Sequence, residues 1–222
     1  MDTWRVLQQL EAQFSRVPPA SIDHRYLAGM DLLDGVIVTL SAFSGLLTEN
    51  TTRGFGWLFL EIGRRMERAL QTAELLTSGL ASAPFDFEPH LQVLLQIADS
   101  AITYRTRYPI VVQAESVLEV LMSDETNPRA VAFQLATLFQ EVERLQEIAF
   151  GGKGKERELA FKALAAVRNA KVADLAQRNA DGRFAALDEL IGELRWTLYE
   201  ISDVLTANYL SHLTASRLTA SW

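Results

Sequence analysis

No cysteine occurs among the 222 residues, which removes disulfides, thiolate nucleophiles and cysteine-ligated metals together. Histidine is nearly absent too. His24, His90 and His212 are scattered, no Glu-x-x-His pair exists, and a ferritin-like di-metal centre would lack its usual ligands. There is no long basic run, and the net charge of -7 is a poor match to a phosphate backbone, so nucleic acid is not an expected partner. Uninterrupted apolar runs stay short of the roughly 20 residues that span a bilayer. Asp2, Arg5 and Glu11 interrupt the N-terminus in a way a signal peptide does not tolerate. These absences lead to the expectation of a cytoplasmic chain with no metal, no cofactor and no membrane partner.

Proline and glycine are also few, and what remains is strongly periodic: apolar residues recur at intervals of three and four almost from end to end, without an alternating strand bounded by turns. The expected fold is all-α with no sheet, an up-and-down antiparallel bundle of about seven to eight helices. Residues 1–222 read as a single helical domain. Helices are predicted from Asp2 to about Phe14, Asp23 to Leu47, Arg53 to Ser78, Pro89 to Tyr108, a short one to Met122, then Asn127 to Phe150, Lys155 to Arg178 and Asp181 to His212. Asn127 before Pro128 reads as an N-cap followed by a proline at the first helical position. Pro109 should kink or break the chain.

Charge falls where apolar residues dominate. In the third helix Phe59, Ile62, Gly63, Met66, Leu70 and Ala73 share a face. Opposite them Glu61, Arg64, Glu67, Arg68 and Gln71 mix with Leu60 and Leu75, and ionised groups on such a helix need partners. In the fourth helix Arg105 shares a stripe with Leu91, Leu94, Leu95, Ala98 and Ile102, which suggests pairing with Glu67 or Glu61, with Asp99, Tyr104 and Arg107 close by. Two readings stay open: ion pairs that staple helices, or an anion or carboxylate pocket built on arginine forks. A second polar island, Asp124, Glu125, Thr126, Asn127 and Arg129, is either a turn with an N-cap or a functional loop in which Asp124, Glu125 and Asn127 serve as hard oxygen donors or as hydrogen-bonding hooks for a partner.

Other motifs fail on context. Gly151-Gly152-Lys153-Gly154-Lys155 comes after a helix and lacks the order of a phosphate loop. Gly54-Phe55-Gly56 lacks the strand and third glycine of a dinucleotide fingerprint, and no Gly-x-Ser-x-Gly elbow supports a hydrolase triad. Trp57, Trp196 and Tyr199 read as packing anchors.

Three separated stretches, Gly56 through Ala69 with Gly63-Arg64-Arg65-Met66-Glu67-Arg68 at its heart, Asp99-Ser100 through Tyr104 to Tyr108, and Asp124 through Leu135, together resemble the Alpha-E family, an all-helical bacterial domain named for a Glu-Arg signature. The resemblance covers nearly the whole chain, including Tyr209 to His212. Family members usually carry an earlier helix with a second copy of the signature, so this chain looks like the later two thirds of the family unit. The resemblance implies a genomic context: a circularly permuted ATP-grasp protein, in trans or fused upstream, and transglutaminase-like peptidases. ATP-grasp enzymes join carboxylate to amine, and the implied role is a noncatalytic helical accessory that docks the ligase and holds an acceptor peptide or carboxylate on Arg64, Arg68, Arg105 and Arg107. An enzyme with an acid-base centre on Glu61, Glu67 and Asp99, and a dimerisation or scaffold module, are the alternatives.

Overall fold

The computed structural model describes residues 3–15, 22–81, 87–108, 111–149 and 154–210. Among these there is no strand, and the all-α expectation holds. The elements are α1 (Thr3–Phe14), α2 (Ile22–Asn50), α3 (Phe55–Ala81), α4 (Phe87–Ile97), α5 (Ala101–Arg107), α6 (Ala114–Leu118), α7 (Val131–Ile148), α8 (Lys155–Asn169), α9 (Val172–Leu175) and α10 (Ala185–Leu205), with π-helical turns at Glu119–Ser123 and Thr206–Leu210. The chain groups into two compact units, Met1–Trp57 and Leu58–Trp222.

The first unit is a hairpin of α1 against α2. Gln13 and Thr39 exchange hydrogen bonds across it, and Thr39 also donates back to the Gly35 carbonyl. Arg53 donates to the carbonyls of Thr48 and Thr51, satisfying the end of α2, and lies over the Trp57 ring at 3.7 Å. Few side chains here are covered: Leu27, Leu33, Ile37 and Val38 are all more than half exposed. Within Tyr26–Asn50 an 18-residue window reaches a mean hydropathy of 1.6, so by length and composition this stretch could cross a membrane. That corrects the expectation that no segment reaches the needed length. Glycine, serine and threonine break the run without making it polar, and the only charges are Asp31, Asp34 and Glu49.

In the second unit α8 lies between α7 and α10. A core of Leu76, Leu121, Leu135, Leu138, Leu145, Leu164 and Leu187, all nearly inaccessible, joins the elements. Burial on α3 runs through Leu58, Ile62, Met66, Ala69, Ala73, Leu76 and Leu80, and Glu61 is buried beside Ile62. Gly63, expected on the core face, is exposed. The helix also continues past Gly79 to Ala81. A Cβ at Gly79 would meet a Leu94 methyl at 2.6 Å. Gly79→Ala should therefore lose about 1 kcal/mol in urea denaturation, the overlap outweighing the gain in helix propensity.

Other differences have local causes. The predicted fourth helix is two helices, broken at residues 98–100, which rotates α5 off the α4 stripe: Ile102 is 79% exposed and Arg105 is exposed. Asn127 is not an N-cap. α7 starts four residues later behind Ala130, without a side-chain cap; the Asn127 amide nitrogen donates inward to Ser100 Oγ and the Val120 carbonyl, and its oxygen closes a turn on Arg129 N–H. Trp196 and Tyr199, expected as packing anchors, are 73% and 52% exposed on α10. The effects expected of Pro109, the glycines 151–153 and the helical end at His212 fall outside the described residues.

One buried carboxylate needs its own account. Glu156, in the first turn of α8, is fully buried and accepts hydrogen bonds from Tyr209, Gln146 and Asn208, two of them supplied by the π turn after α10. Burial alone would raise its pKa; its own backbone amide and these three donors outweigh that and hold it below 4.5. Burial and the same carboxylate push Tyr209 up to about 12. A depressed folded pKa adds stability that is present above 4.5 and lost as pH falls through the folded value. Glu156→Gln should cost about 2 kcal/mol at pH 7. Melting of both proteins from pH 7 to pH 3 should show the gap narrowing below the ordinary glutamate value.

Candidate functional site

The break between α4 and α5 builds one wall of a cavity. Ser100 N–H donates to the Leu95 carbonyl and Asp99 N–H to the Gln96 carbonyl, the paired bonds of a Schellman motif. The left-handed position of that motif, normally glycine, is occupied by Asp99 at φ 49°, the only non-glycine residue with positive φ among the described residues. Facing it, the loop before α7 is pinned: Arg129 N–H donates to Asn127 Oδ1, and Thr72 of α3 donates to the Arg129 carbonyl. Asn127 in turn reaches Ser100, so both sides of the cavity are tied together through a buried side chain.

The cavity so formed has a volume of about 460 Å³ and opens among Arg68, Gln71 and Thr72 of α3, Ile97 to Asp99, Pro128, Arg129 and Gln134. Its charge is unbalanced. Glu61 accepts from Arg64 at 2.5 Å and Arg65 at 2.6 Å, and Arg65 extends to Gln134, which donates to the Pro128 carbonyl. Asp99 pairs with Arg129 at 2.6 Å. Arg68 makes no ion pair or hydrogen bond among the described residues. Partial burial, then the like charges of Arg65, Arg64 and Arg129, lower its pKa, while Glu61 opposes them. The guanidinium is still open to solvent, so these effects are screened. A cation left in such company favours an incoming anion.

Of the residues singled out by sequence, Glu61 and Arg64 meet as an ion pair, with Arg65 the missed third member. Arg68, Asp99 and Arg129 reach the cavity. Glu67 points away, exposed and bonded to Gln71, and pairs with neither Arg68 nor Arg105. Arg105 lies over a separate small pocket with Gln92 and Val112. Tyr104 is buried, its hydroxyl bridging the Val111 carbonyl and Gln113 N–H. Thus the three carboxylates of the enzyme alternative do not converge: only Asp99 lines the cavity.

The polar island folds onto its own domain. Asp124 accepts from the Thr126 amide and hydroxyl and faces Arg107 at 2.8 Å, and Arg107 also donates to Thr126. Against burial, which raises it, these partners lower the Asp124 pKa. Glu125 is gripped by both ends of the Arg168 fork from α8, and that hydrogen bonding lowers its pKa. Only Arg129 is left facing the cavity. Gln71 was already placed on the charged face of α3, but Thr72 and Gln134 had no distinguishing signal of their own, since their role depends on where α3, α4 and the 127–129 loop meet. Among the described residues, no three His, Asp or Glu side chains group in a way that could hold a metal ion.

Fold and site define an all-helical domain with a cavity lined by Arg68 and Arg129. Residues 1–210 match the family model Alpha-E, described as a predicted alpha-helical domain with a conserved ER motif, and the chain belongs to that family. An uncharacterized protein of Mycobacterium tuberculosis (strain ATCC 25618 / H37Rv) and another of Mycobacterium bovis are each 26% identical to it over 214 residues. The match takes in 95% of this chain and 24% of either relative, so the chain spans about a quarter of their length. No solved structure matches it. The Glu-Arg pair occurs three times here, but Glu143-Arg144 and Glu156-Arg157 serve other contacts, and only Glu67-Arg68 adjoins the cavity.

Proposed function

We propose that this domain is a noncatalytic accessory of an ATP-grasp-type amide or peptide ligase and that its cavity holds the carboxylate of an acceptor. The observation that carries the reading is Arg68, a guanidinium on the cavity wall that is unpaired among the described residues and crowded by Arg64, Arg65 and Arg129. The small share that the chain makes up of its relatives supports a role as one part of a larger machine. A circularly permuted ATP-grasp protein, in trans or fused upstream, is the proposed partner; a transglutaminase-like peptidase is a further one, and the reading puts the work in the cytoplasm. Adding the purified chain to such a ligase from the same genome should increase amide formation, and the two should co-elute. No gain and no co-elution would count against it.

The exposed aliphatics of α2 favour a second reading, the dimerisation or scaffold module. Light scattering on the full chain checks it. A monomer across micromolar concentrations sinks it.

A further inference from the structure

We infer that Asp99 is a built-in stand-in for the ligand, its carboxylate resting on Arg129 until the carboxylate of a compound with an apolar neighbouring group displaces it into the cavity. This rests on the carboxylate-binding reading and specifies its ligand. Backbone chemistry is the first support. The left-handed position of a Schellman motif favours glycine, and an aspartate there keeps a carboxylate at the cavity mouth against that preference.

The second support is how unequally the pair is held. The Arg129 backbone is fixed by Asn127 and Thr72, and the Asp99 backbone by the Leu95 and Gln96 caps, while the side chains themselves are open, Asp99 at 75% exposed and Arg129 at 50%. An exposed ion pair adds little free energy, so a competing carboxylate that also gains Arg68 can break it. Third, the remaining wall is apolar. Leu75, Ile97, Ala98 and Pro128 line it, and Ile97 is 64% exposed, which suits an aliphatic group beside the carboxylate and offers nothing to an inorganic oxyanion. The polar side chains are partly committed: Gln71 and Gln134 each give one amide N–H, to Glu67 and to the Pro128 carbonyl, and Thr72 gives its hydroxyl to the Arg129 carbonyl.

N-acetyl-leucine is the probe, with N-acetyl-leucinamide and inorganic phosphate as controls, titrated into the full chain by NMR or calorimetry. Asp99→Asn keeps a residue that accepts the left-handed conformation, so the variant should fold and melt like the parent. It should bind N-acetyl-leucine about threefold to fivefold tighter, the affinity released when a surface pair no longer competes. The amide and phosphate should bind far more weakly. If the parent binds the probe through Arg68 but Asp99→Asn gives no gain, the displacement is overturned while the carboxylate cavity stands. Phosphate binding as well as N-acetyl-leucine overturns the apolar-neighbour assignment. If neither protein binds the probe, the inference and the carboxylate reading fall together.

Discussion

Replacing Glu61 by leucine should destabilise the second unit by about 3 kcal/mol, lowering Tm by about 6–12 °C for a chain of this size. Glu61 is 5% exposed, and both its oxygens are taken, one by Arg64 and one by Arg65. The carboxylate itself contributes little net free energy over a well-packed apolar residue; the cost comes from what it leaves behind. Two guanidiniums would lose their counter-charge on a helix already carrying Arg68 nearby, and Arg65 would hold only Gln134. Because Gln134 bonds the Pro128 carbonyl, the disturbance reaches the loop that places Arg129. Glu67→Gln provides the contrast. That carboxylate is exposed and, among the described residues, meets only Gln71, so its loss should stay within about 0.5 kcal/mol. Thermal melts of the two variants side by side check both, and equal losses would mean that Glu61 is not the keystone of the cluster.

The same pair of glutamates shows how far the sequence could be read. Periodicity located α1, α2 and α3 to within about three residues of their ends, because long amphipathic stretches have one solution, whereas the helix predicted from Lys155 to Arg178 stops at Asn169 and the last one starts four residues late, at Ala185. It also identified Glu61 with Arg64 as charges needing partners. Phase was the weak point. The break at Asp99 has no glycine or proline to announce it, so a stripe drawn through Ala98 to Arg105 ran past a turn that re-aims every later side chain. The expected Glu67–Arg105 contact failed for that reason. Asn127 misled in the opposite way: its local context reads as a cap, yet its oxygen closes a turn on Arg129 ahead of α7 while its nitrogen reaches Ser100, 27 residues away. A cavity assembled from three distant segments leaves no pattern along the chain. Its clearest trace was the run of three arginines in α3, of which Glu61 pairs two and leaves Arg68 over.

That surplus makes Arg68 the decisive residue. Arg68→Leu should abolish measurable binding of N-acetyl-leucine, a loss of tenfold or more, because removing a guanidinium that contacts a charged ligand costs more than a neutral hydrogen bond. Stability should respond differently. Arg68 has no partner among the described residues to leave behind, and it is crowded by Arg65, Arg64 and Arg129, so its removal relieves repulsion. Tm should stay level or rise slightly. Structural ion pairs give the reverse pattern, in which the melting temperature falls with the charge. Binding isotherms and melts on one preparation of Arg68→Leu therefore separate a site from a staple: lost binding with unchanged melting fits the cavity, and lowered melting with retained binding would return the Glu-Arg cluster to a purely structural role. Arg68→Lys refines the answer, since a point charge keeps the attraction but not the planar fork, and should recover only part of the affinity.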